Sequence, residues 1–98
     1  MNLLIADDSP EFMESLKEFF ENSGHKIFCA SDGEQALQIF GNQNIDGVFC
    51  ALTLPKLGGL ELLKEVKSTN SNSPFVMLCP QNDSEGAISA LQLGACDY

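Results

Sequence analysis

Basic side chains are scarce in this sequence, and acidic side chains outnumber them. Lys and Arg together account for five of the 98 residues, Asp and Glu account for 14, and the formal net charge is −9. Nucleic-acid affinity depends on basic residues that neutralise phosphates and release counterions, so this chain would be repelled by a DNA or RNA backbone. The composition therefore argues against direct nucleic-acid binding.

Long hydrophobic runs are also missing, and no basic residue precedes the first apolar segment. A helix that spans a bilayer needs roughly 20 apolar residues, and an export signal begins with a basic region. Charged residues make up 19% of the chain, and they form no long run of one sign that would indicate a disordered tail. We expect one folded domain over residues 1–98, in the cytoplasm and away from membranes.

Closely paired cysteines are the third absence. Four cysteines are present, and no two of them form a C-x-x-C pair: Cys29, Cys50, Cys79 and Cys96. We interpret them as small buried thiols in a reducing compartment. A zinc site and a disulfide framework are the alternatives to this interpretation.

What the sequence does contain is a regular alternation of short apolar segments with segments of helical periodicity. The apolar segments predict four strands, at residues 2–6, 26–30, 47–51 and 75–79. Ser9 and Pro10 mark the start of a first helix that Gly24 ends. Asp32 with Gln35 predicts a capping box at the start of a second helix.

Helical spacing continues after the third and fourth strands. A third helix follows Gly58 and Gly59, and a fourth helix is predicted to begin near Asn82. We expect the apolar faces of these two helices, and the aromatic side chains of the first helix, to point into the core. The residues on these faces are Phe12, Phe19, Phe20, Leu60, Leu63, Val66, Ile88, Leu91 and Ala95. Four buried strands joined by helical crossovers imply a doubly wound α/β domain with a parallel sheet.

In a doubly wound sheet the functional edge lies at the carboxyl ends of the strands. The first predicted strand ends at Asp7 and Asp8, the third ends at Ala51, and the fourth ends at Cys79. Two carboxylates should therefore meet a methyl group and a thiol at this edge. His25 lies in a predicted turn, without a second histidine to share a metal, and is assigned no role.

These features together resemble the receiver domain of two-component response regulators over the whole chain. The matching motifs are the acidic pair, the end of the third strand with its following loop, the start of the third helix and the last six residues; they occupy residues 7–8, 46–55, 59–63 and 93–98. The resemblance implies a flavodoxin-like sheet with strand order 2-1-3-4. It also implies that a fifth strand and helix are missing, so that residues 1–98 form an incomplete receiver-like domain.

The resemblance assigns roles to individual positions. In the family the acidic pair helps to hold Mg²⁺, an aspartate at the end of the third strand accepts a phosphoryl group, and a hydroxyl after the fourth strand contacts the phosphate. Carried over to this sequence, Asp7 and Asp8 match the acidic pair, and Ala51 stands at the acceptor position. Cys79 stands at the hydroxyl position, and Tyr98 matches an aromatic residue that switches conformation.

The resemblance fails where phosphorylation chemistry is concerned. Phosphoryl transfer needs an in-line nucleophile, and the methyl group of Ala51 provides none. Asp46 cannot replace it, because five extended residues at about 3.3 Å each place Asp46 at the opposite end of the strand. The thiol of Cys79 is a weaker hydrogen-bond donor than a hydroxyl, and Pro80 follows it where a small residue is usual.

We therefore interpret the chain as a degenerate receiver that signals through contacts with a protein partner, a kinase or an effector domain, without enzymatic turnover. No cofactor is expected beyond Mg²⁺ bound weakly by Asp7, Asp8 and a carbonyl near Thr53. The first alternative is a conventional phosphorylated receiver whose aspartate has been replaced by Ala51. A flavin carrier is the second, although the acidic pair would repel a flavin phosphate.

Two further expectations concern Cys79 and the end of the chain. A redox function for Cys79 is disfavoured, because neighbouring carboxylates oppose formation of a thiolate. A homodimer or an exchanged element is expected if the molecule ends at Tyr98, since a sheet edge and part of an apolar face would then lose their cover.

Overall fold

The fold is described by a computed structural model over residues 1–69, 73–78 and 88. Within these residues, four parallel strands form one sheet in the order β2-β1-β3-β4. The strands are β1 (Asn2–Ala6), β2 (Lys26–Ala30), β3 (Gly47–Ala51) and β4 (Phe75–Leu78). The predicted doubly wound sheet with strand order 2-1-3-4 is confirmed.

Three helices connect these strands: α1 (Pro10–Asn22), α2 (Gly33–Asn42) and α3 (Gly59–Thr69). The hydroxyl of Ser9 accepts a hydrogen bond from the Phe12 N–H at 3.4 Å, which caps α1 as predicted. At the start of α2, the Asp32 carboxylate accepts from the Gln35 N–H at 2.8 Å. The Gln35 side chain returns to the Ser31 N–H at 3.0 Å, which is one residue before the position that a capping box would use.

The core has two parts, one on each face of the sheet. The larger part lies beneath α2 and α3 and is built around Leu4, Cys50, Leu62, Leu63 and Phe75, all fully buried. The smaller part lies beneath α1 and consists of Leu3, Ile5 and Ile27 with partly buried neighbours from α1. Because helices cover both faces of the sheet, the strand sequences are continuous apolar runs and do not alternate between apolar and polar residues.

Two predictions about apolar faces are wrong. Phe12 and Phe19 of α1 were expected in the core, but their exposed fractions are 42% and 65%. Ile88 lies in a helix, as expected, but it is 55% exposed rather than inward-facing. Helical periodicity determines which residues share a face, whereas the direction in which that face points depends on what the helix packs against. Phe20, in contrast, is partly buried against the smaller core.

Three positions to which the resemblance assigns meaning lie outside the described residues. They are Cys79, Pro80 and Tyr98, so their assigned roles remain predictions. Most of the fourth predicted helix, including Leu91 and Ala95, also lies outside that range. None of the helices in the described part of the chain is long and apolar enough to cross a membrane.

Candidate functional site

Asp7 and Asp8 lie at the carboxyl end of β1, where the chain turns into α1. The Asp7 N–H still donates to the Ala30 carbonyl at 3.1 Å, which extends the pairing with β2 by one residue. The Asp7 carboxylate is buried and accepts a hydrogen bond from the Ser9 N–H at 2.8 Å, whereas Asp8 is exposed. The two acids therefore differ: Asp7 is held in place by the turn, and Asp8 faces solvent.

Ala51 lies beside Asp7 on the neighbouring strand. The register pairs Ala6 with Cys50, so the next residue of each strand, Asp7 and Ala51, stand at the same level of the sheet. Neighbouring strands are about 4.8 Å apart, which puts the Ala51 methyl group within reach of the acidic pair. On its other side Ala51 pairs with Leu78, and Cys79 follows directly outside the described residues. The ends of β1 and β3 are thus neighbours in the sheet, and the predicted position of Cys79 beside them stays a prediction.

The electrostatics at this edge are acidic. Burial, with a smaller contribution from the nearby Asp7 carboxylate, raises the pKa of the Cys50 thiol to about 12, because a buried thiolate loses its hydration and is repelled by the carboxylate. The Cys50 Sγ donates to the Ala51 carbonyl at 3.2 Å, so Cys50 is a neutral thiol beneath the site. Among the described residues, no lysine forms an ion pair with Asp7 or Asp8.

The loop between β3 and α3 is fixed to the start of α2. The Gly33 N–H donates to the Pro55 carbonyl at 3.2 Å, and a Lys56–Asp32 ion pair with an N–O distance of 3.7 Å lies beside it. Lys56 has a φ of 67°, a left-handed conformation that a side chain rarely adopts. Sequence reasoning missed this connection between the loops, since no pattern marks Lys56 as the residue with positive φ. The connection links the loop that carries Thr53 to the start of α2.

The described residues offer Mg²⁺ two carboxylates rather than three. They contain no group of three or more His, Cys, Asp or Glu side chains placed to hold a metal. Mg²⁺ needs one or two carboxylates plus other oxygen ligands, and Asp7, Asp8 and a backbone carbonyl near Thr53 are chemically suitable. The donor set therefore fits Mg²⁺, with one charged ligand fewer than an aspartate at position 51 would give.

Asp46 and His25 lie at the opposite edge of the sheet. Asp46 accepts a hydrogen bond from the Asn2 N–H at 2.7 Å, where β1 begins. The His25 Nδ1 lies 3.1 Å from the Met1 amine, and its ring packs edge-on to Phe20 at a centroid distance of 6.3 Å. Neither side chain is brought to Ala51, and the placement of Asp46 away from the strand end agrees with the sequence argument.

The fold and the site first define a class of protein: a doubly wound α/β domain with an acidic pair beside the end of its third strand. Within this class, the chain belongs to the response regulator receiver domain family, whose family model matches residues 3–98. Receiver domains of this family bind Mg²⁺ and interact with kinases and effector domains.

Comparison with individual proteins agrees with the family. Response regulator SaeR of Staphylococcus aureus (strain USA300) is 31% identical over 97 residues, which are 99% of this chain and 42% of SaeR. The receiver domain of the Francisella response regulator 1452 is 32% identical with a TM-score of 0.89, over 99% of this chain and 80% of that domain. NtrX from Brucella abortus is 29% identical with a TM-score of 0.92, over 99% of this chain and 22% of NtrX. The chain thus spans less than half the length of SaeR.

Proposed function

We propose that this domain is a receiver that signals through protein contacts without aspartyl phosphorylation. The observation that carries the proposal is the position of Ala51, level with Asp7 at the end of β3. A methyl group cannot attack a phosphoryl group, and phosphoryl transfer depends almost entirely on a positioned nucleophile and on charge neutralisation. The domain would therefore bind its partner in a state that phosphate does not change.

The neighbouring carboxylates are poor substitutes for the missing acceptor. Asp7 is buried, and one of its oxygens accepts the Ser9 N–H, so it cannot move out to meet a phosphoryl donor without losing that bond. Asp8 is exposed and belongs to the set that would hold Mg²⁺. Both acids would repel a phosphoryl donor in the absence of a cation.

The proposal is tested by incubating the protein with Mg²⁺ and acetyl phosphate and measuring its intact mass. We expect no change, whereas a gain of about 80 Da, the mass of one phosphoryl group, would refute the proposal. The matched controls are Ala51→Asp, which restores the carboxylate, and Ala51→Asn, which has nearly the same shape without a nucleophilic charge. Both should keep the fold, as judged by circular dichroism.

The alternative is a conventional receiver in which Ala51 has replaced the acceptor aspartate. It is supported by the acidic pair, of which Asp7 is kept in place by the Ser9 N–H as if the pocket were still in use. If Ala51→Asp alone gains about 80 Da within minutes of adding acetyl phosphate, the rest of the pocket is competent and the alternative is favoured. If Ala51→Asp stays unmodified in a chain extended through its natural C-terminus, the pocket as a whole is degenerate.

We propose the class of the partner and not its identity. A kinase or an effector domain is the expected partner, because SaeR and NtrX are both longer than the matched region. A cytoplasmic location, the lack of enzymatic turnover and homodimerisation remain predictions from the sequence.

A further inference from the structure

Two nitrogen atoms that are able to bind a metal ion lie side by side at the amino-terminal end of the sheet. They are the α-amine of Met1 and the Nδ1 atom of His25, and they are 3.1 Å apart. A protonated amine has no acceptor atom, so it donates the hydrogen bond and Nδ1 accepts it with its lone pair. The structure thus places an imidazole nitrogen in the form that binds metals directly beside a primary amine.

The backbone that carries the amine is held by sheet pairing on both sides. The Lys26 N–H donates to the Met1 carbonyl at 2.9 Å, on the side of β2. On the side of β3, the Asn2 N–H donates to the Asp46 carboxylate at 2.7 Å, and the Asp46 N–H donates to the Asn2 carbonyl at 2.7 Å. The α-amine is therefore attached to a strand end whose position is fixed.

His25 is fixed independently. Its N–H donates to the Phe20 carbonyl at 3.1 Å, its ring packs edge-on to the Phe20 ring, and its side chain is half-buried. The register of β1 and β2 pairs Asn2 with Lys26, so the residues before them, Met1 and His25, stand at the same level. The two nitrogens are neighbours because of this register. Since both are held in place, a ligand that joins them costs little conformational entropy.

The spacing of the two nitrogens suits a transition-metal ion. Metal–nitrogen bonds are about 2.0 to 2.1 Å long, and two ligands 3.1 Å apart then make an angle of about 100° at the ion. That angle is closer to the 90° of square-planar or octahedral coordination, as in Cu²⁺ and Ni²⁺ sites, than to the tetrahedral angle of Zn²⁺. Almost no movement of the protein is needed to form the chelate.

The terminal amine is what makes this pair a candidate metal site. The described residues contain no group of three or more His, Cys, Asp or Glu side chains placed to hold a metal, so water would complete the coordination. Asp46, whose carboxylate accepts the N–H of the residue after Met1, and the net charge of −9 both attract a cation. His25 was assigned no role because the chain has no second histidine, but its partner is the amine.

We propose that the α-amine of Met1 and Nδ1 of His25 form a chelating site for a divalent transition-metal ion that prefers nitrogen ligands, Ni²⁺ or Cu²⁺ rather than Mg²⁺. The amine releases its proton to solvent, and two metal–nitrogen bonds replace the hydrogen bond between the two groups. The site lies at the opposite end of β1 from Asp7, about 20 Å away at about 3.3 Å per residue. It is therefore separate from the acidic edge and goes beyond the proposed function.

The test is calorimetric titration with Ni²⁺ in excess Mg²⁺, which occupies the carboxylates at the acidic edge. The protein must carry no added residue before Met1, because the amine itself is a ligand. We expect saturable binding of one Ni²⁺ per chain. Repeating the titration in buffers with different heats of ionisation should show that about one proton leaves for each ion bound, as loss of the amine proton requires.

Variants remove one nitrogen at a time. His25→Phe keeps a ring against Phe20 and removes Nδ1, whereas two extra residues before Met1 move the amine away and leave every side chain unchanged. Each change should weaken Ni²⁺ binding at least tenfold, because one nitrogen then binds without a second ligand on the same framework. Cys29→Ala is the control for binding by a partly buried thiol, and it should leave the affinity unchanged. Circular dichroism should be the same for all four proteins.

Paramagnetic broadening of amide signals by Ni²⁺ locates the ion. We expect it at residues 2 and 24–26, and not at residues 7 and 8. The inference is overturned by an absence of saturable binding, by unchanged affinity in either the His25→Phe or the extended chain, by loss of binding in Cys29→Ala, or by broadening centred on residues 7 and 8. None of these measurements uses a phosphoryl donor, so this proposal and the proposed function fail independently.

Discussion

Gly59 at the start of α3 lies against the backbone of Ala51, so closely that a methyl group on Gly59 would overlap the Ala51 carbonyl oxygen. The Gly59 N–H also donates to the Leu52 carbonyl at 3.0 Å. α3 therefore begins directly behind the strand end that carries the acceptor position. The close approach requires the absence of a side chain at position 59, and this holds whether or not the acceptor is functional.

Gly59→Ala should destabilise the fold by about 3 kcal/mol, because the added methyl group would collide with backbone atoms that cannot move independently. Gly41→Ala is the control, since no atom lies within 4 Å of a Cβ at that position of α2. That change should raise the free energy of unfolding by about 0.5 to 1 kcal/mol, through helix propensity. Urea unfolding followed by circular dichroism measures both. Equal effects of the two changes would contradict the packing described for Gly59.

Lys56→Gly should stabilise the protein by about 1 kcal/mol, since Lys56 has a φ of 67° that glycine adopts without steric cost. Lys56→Ala keeps the unfavourable conformation and removes only a long, largely exposed ion pair with Asp32, so it should change stability by less than about 0.5 kcal/mol. The difference between the glycine and alanine variants in thermal unfolding isolates the backbone effect. If alanine stabilised as much as glycine, the ion pair rather than φ would be the relevant feature.

The buried Cys50 thiol should make stability fall at high pH. Its pKa in the folded protein is about 12, raised mainly by burial from the ordinary value of a thiol, which is about 9. Below pH 9 the thiol is neutral in both states and favours neither. Above pH 9 the unfolded chain loses the proton first, so the free energy of unfolding should fall by roughly 1.4 kcal/mol per pH unit until about pH 12.

The Cys50 contribution is measured as the difference between the native chain and Cys50→Ala in denaturant unfolding from pH 8 to pH 11. The free energy of unfolding of Cys50→Ala should fall less steeply with pH, because this variant lacks the Cys50 thiol and has all the other titrating groups of the native chain. Cys29→Ala is the control, since burial also raises the pKa of the Cys29 thiol but Cys29 is only partly buried. Parallel curves for all three proteins would show that Cys50 is accessible to solvent in the folded state.

Ala51→Asp should raise the affinity for Mg²⁺ at least tenfold, because it places a third carboxylate level with Asp7. Isothermal titration calorimetry measures the affinity directly. Ala51→Asn places a neutral amide oxygen at the same distance. Its gain in the logarithm of the Mg²⁺ affinity should be less than half of the gain for Ala51→Asp. If aspartate and asparagine were equivalent, the metal would not be bound at this edge.

The sequence predicted the sheet more accurately than the helix faces. The apolar runs of β1, β2 and β3 were placed at the bounds that the structure has, because strands buried on both faces leave an unmistakable pattern. The caps at Ser9 and Asp32 were also predicted, since a side-chain oxygen three residues before a free N–H is a local signal. The exposure of Phe12 and Phe19 was not predicted, although both directly follow a glutamate that points to solvent.

The sequence alone determined the alternation of elements, the acidic pair and the lack of a nucleophile at position 51, because each depends on residue identity or on local periodicity. The tertiary structure decided that Ala51 stands level with Asp7, that Gly59 packs behind it, and that Lys56 takes a left-handed conformation. It also decided that the side chains of Phe12 and Phe19 are exposed rather than buried in the core. These features depend on register and on contacts between residues far apart in the chain, which local patterns do not encode.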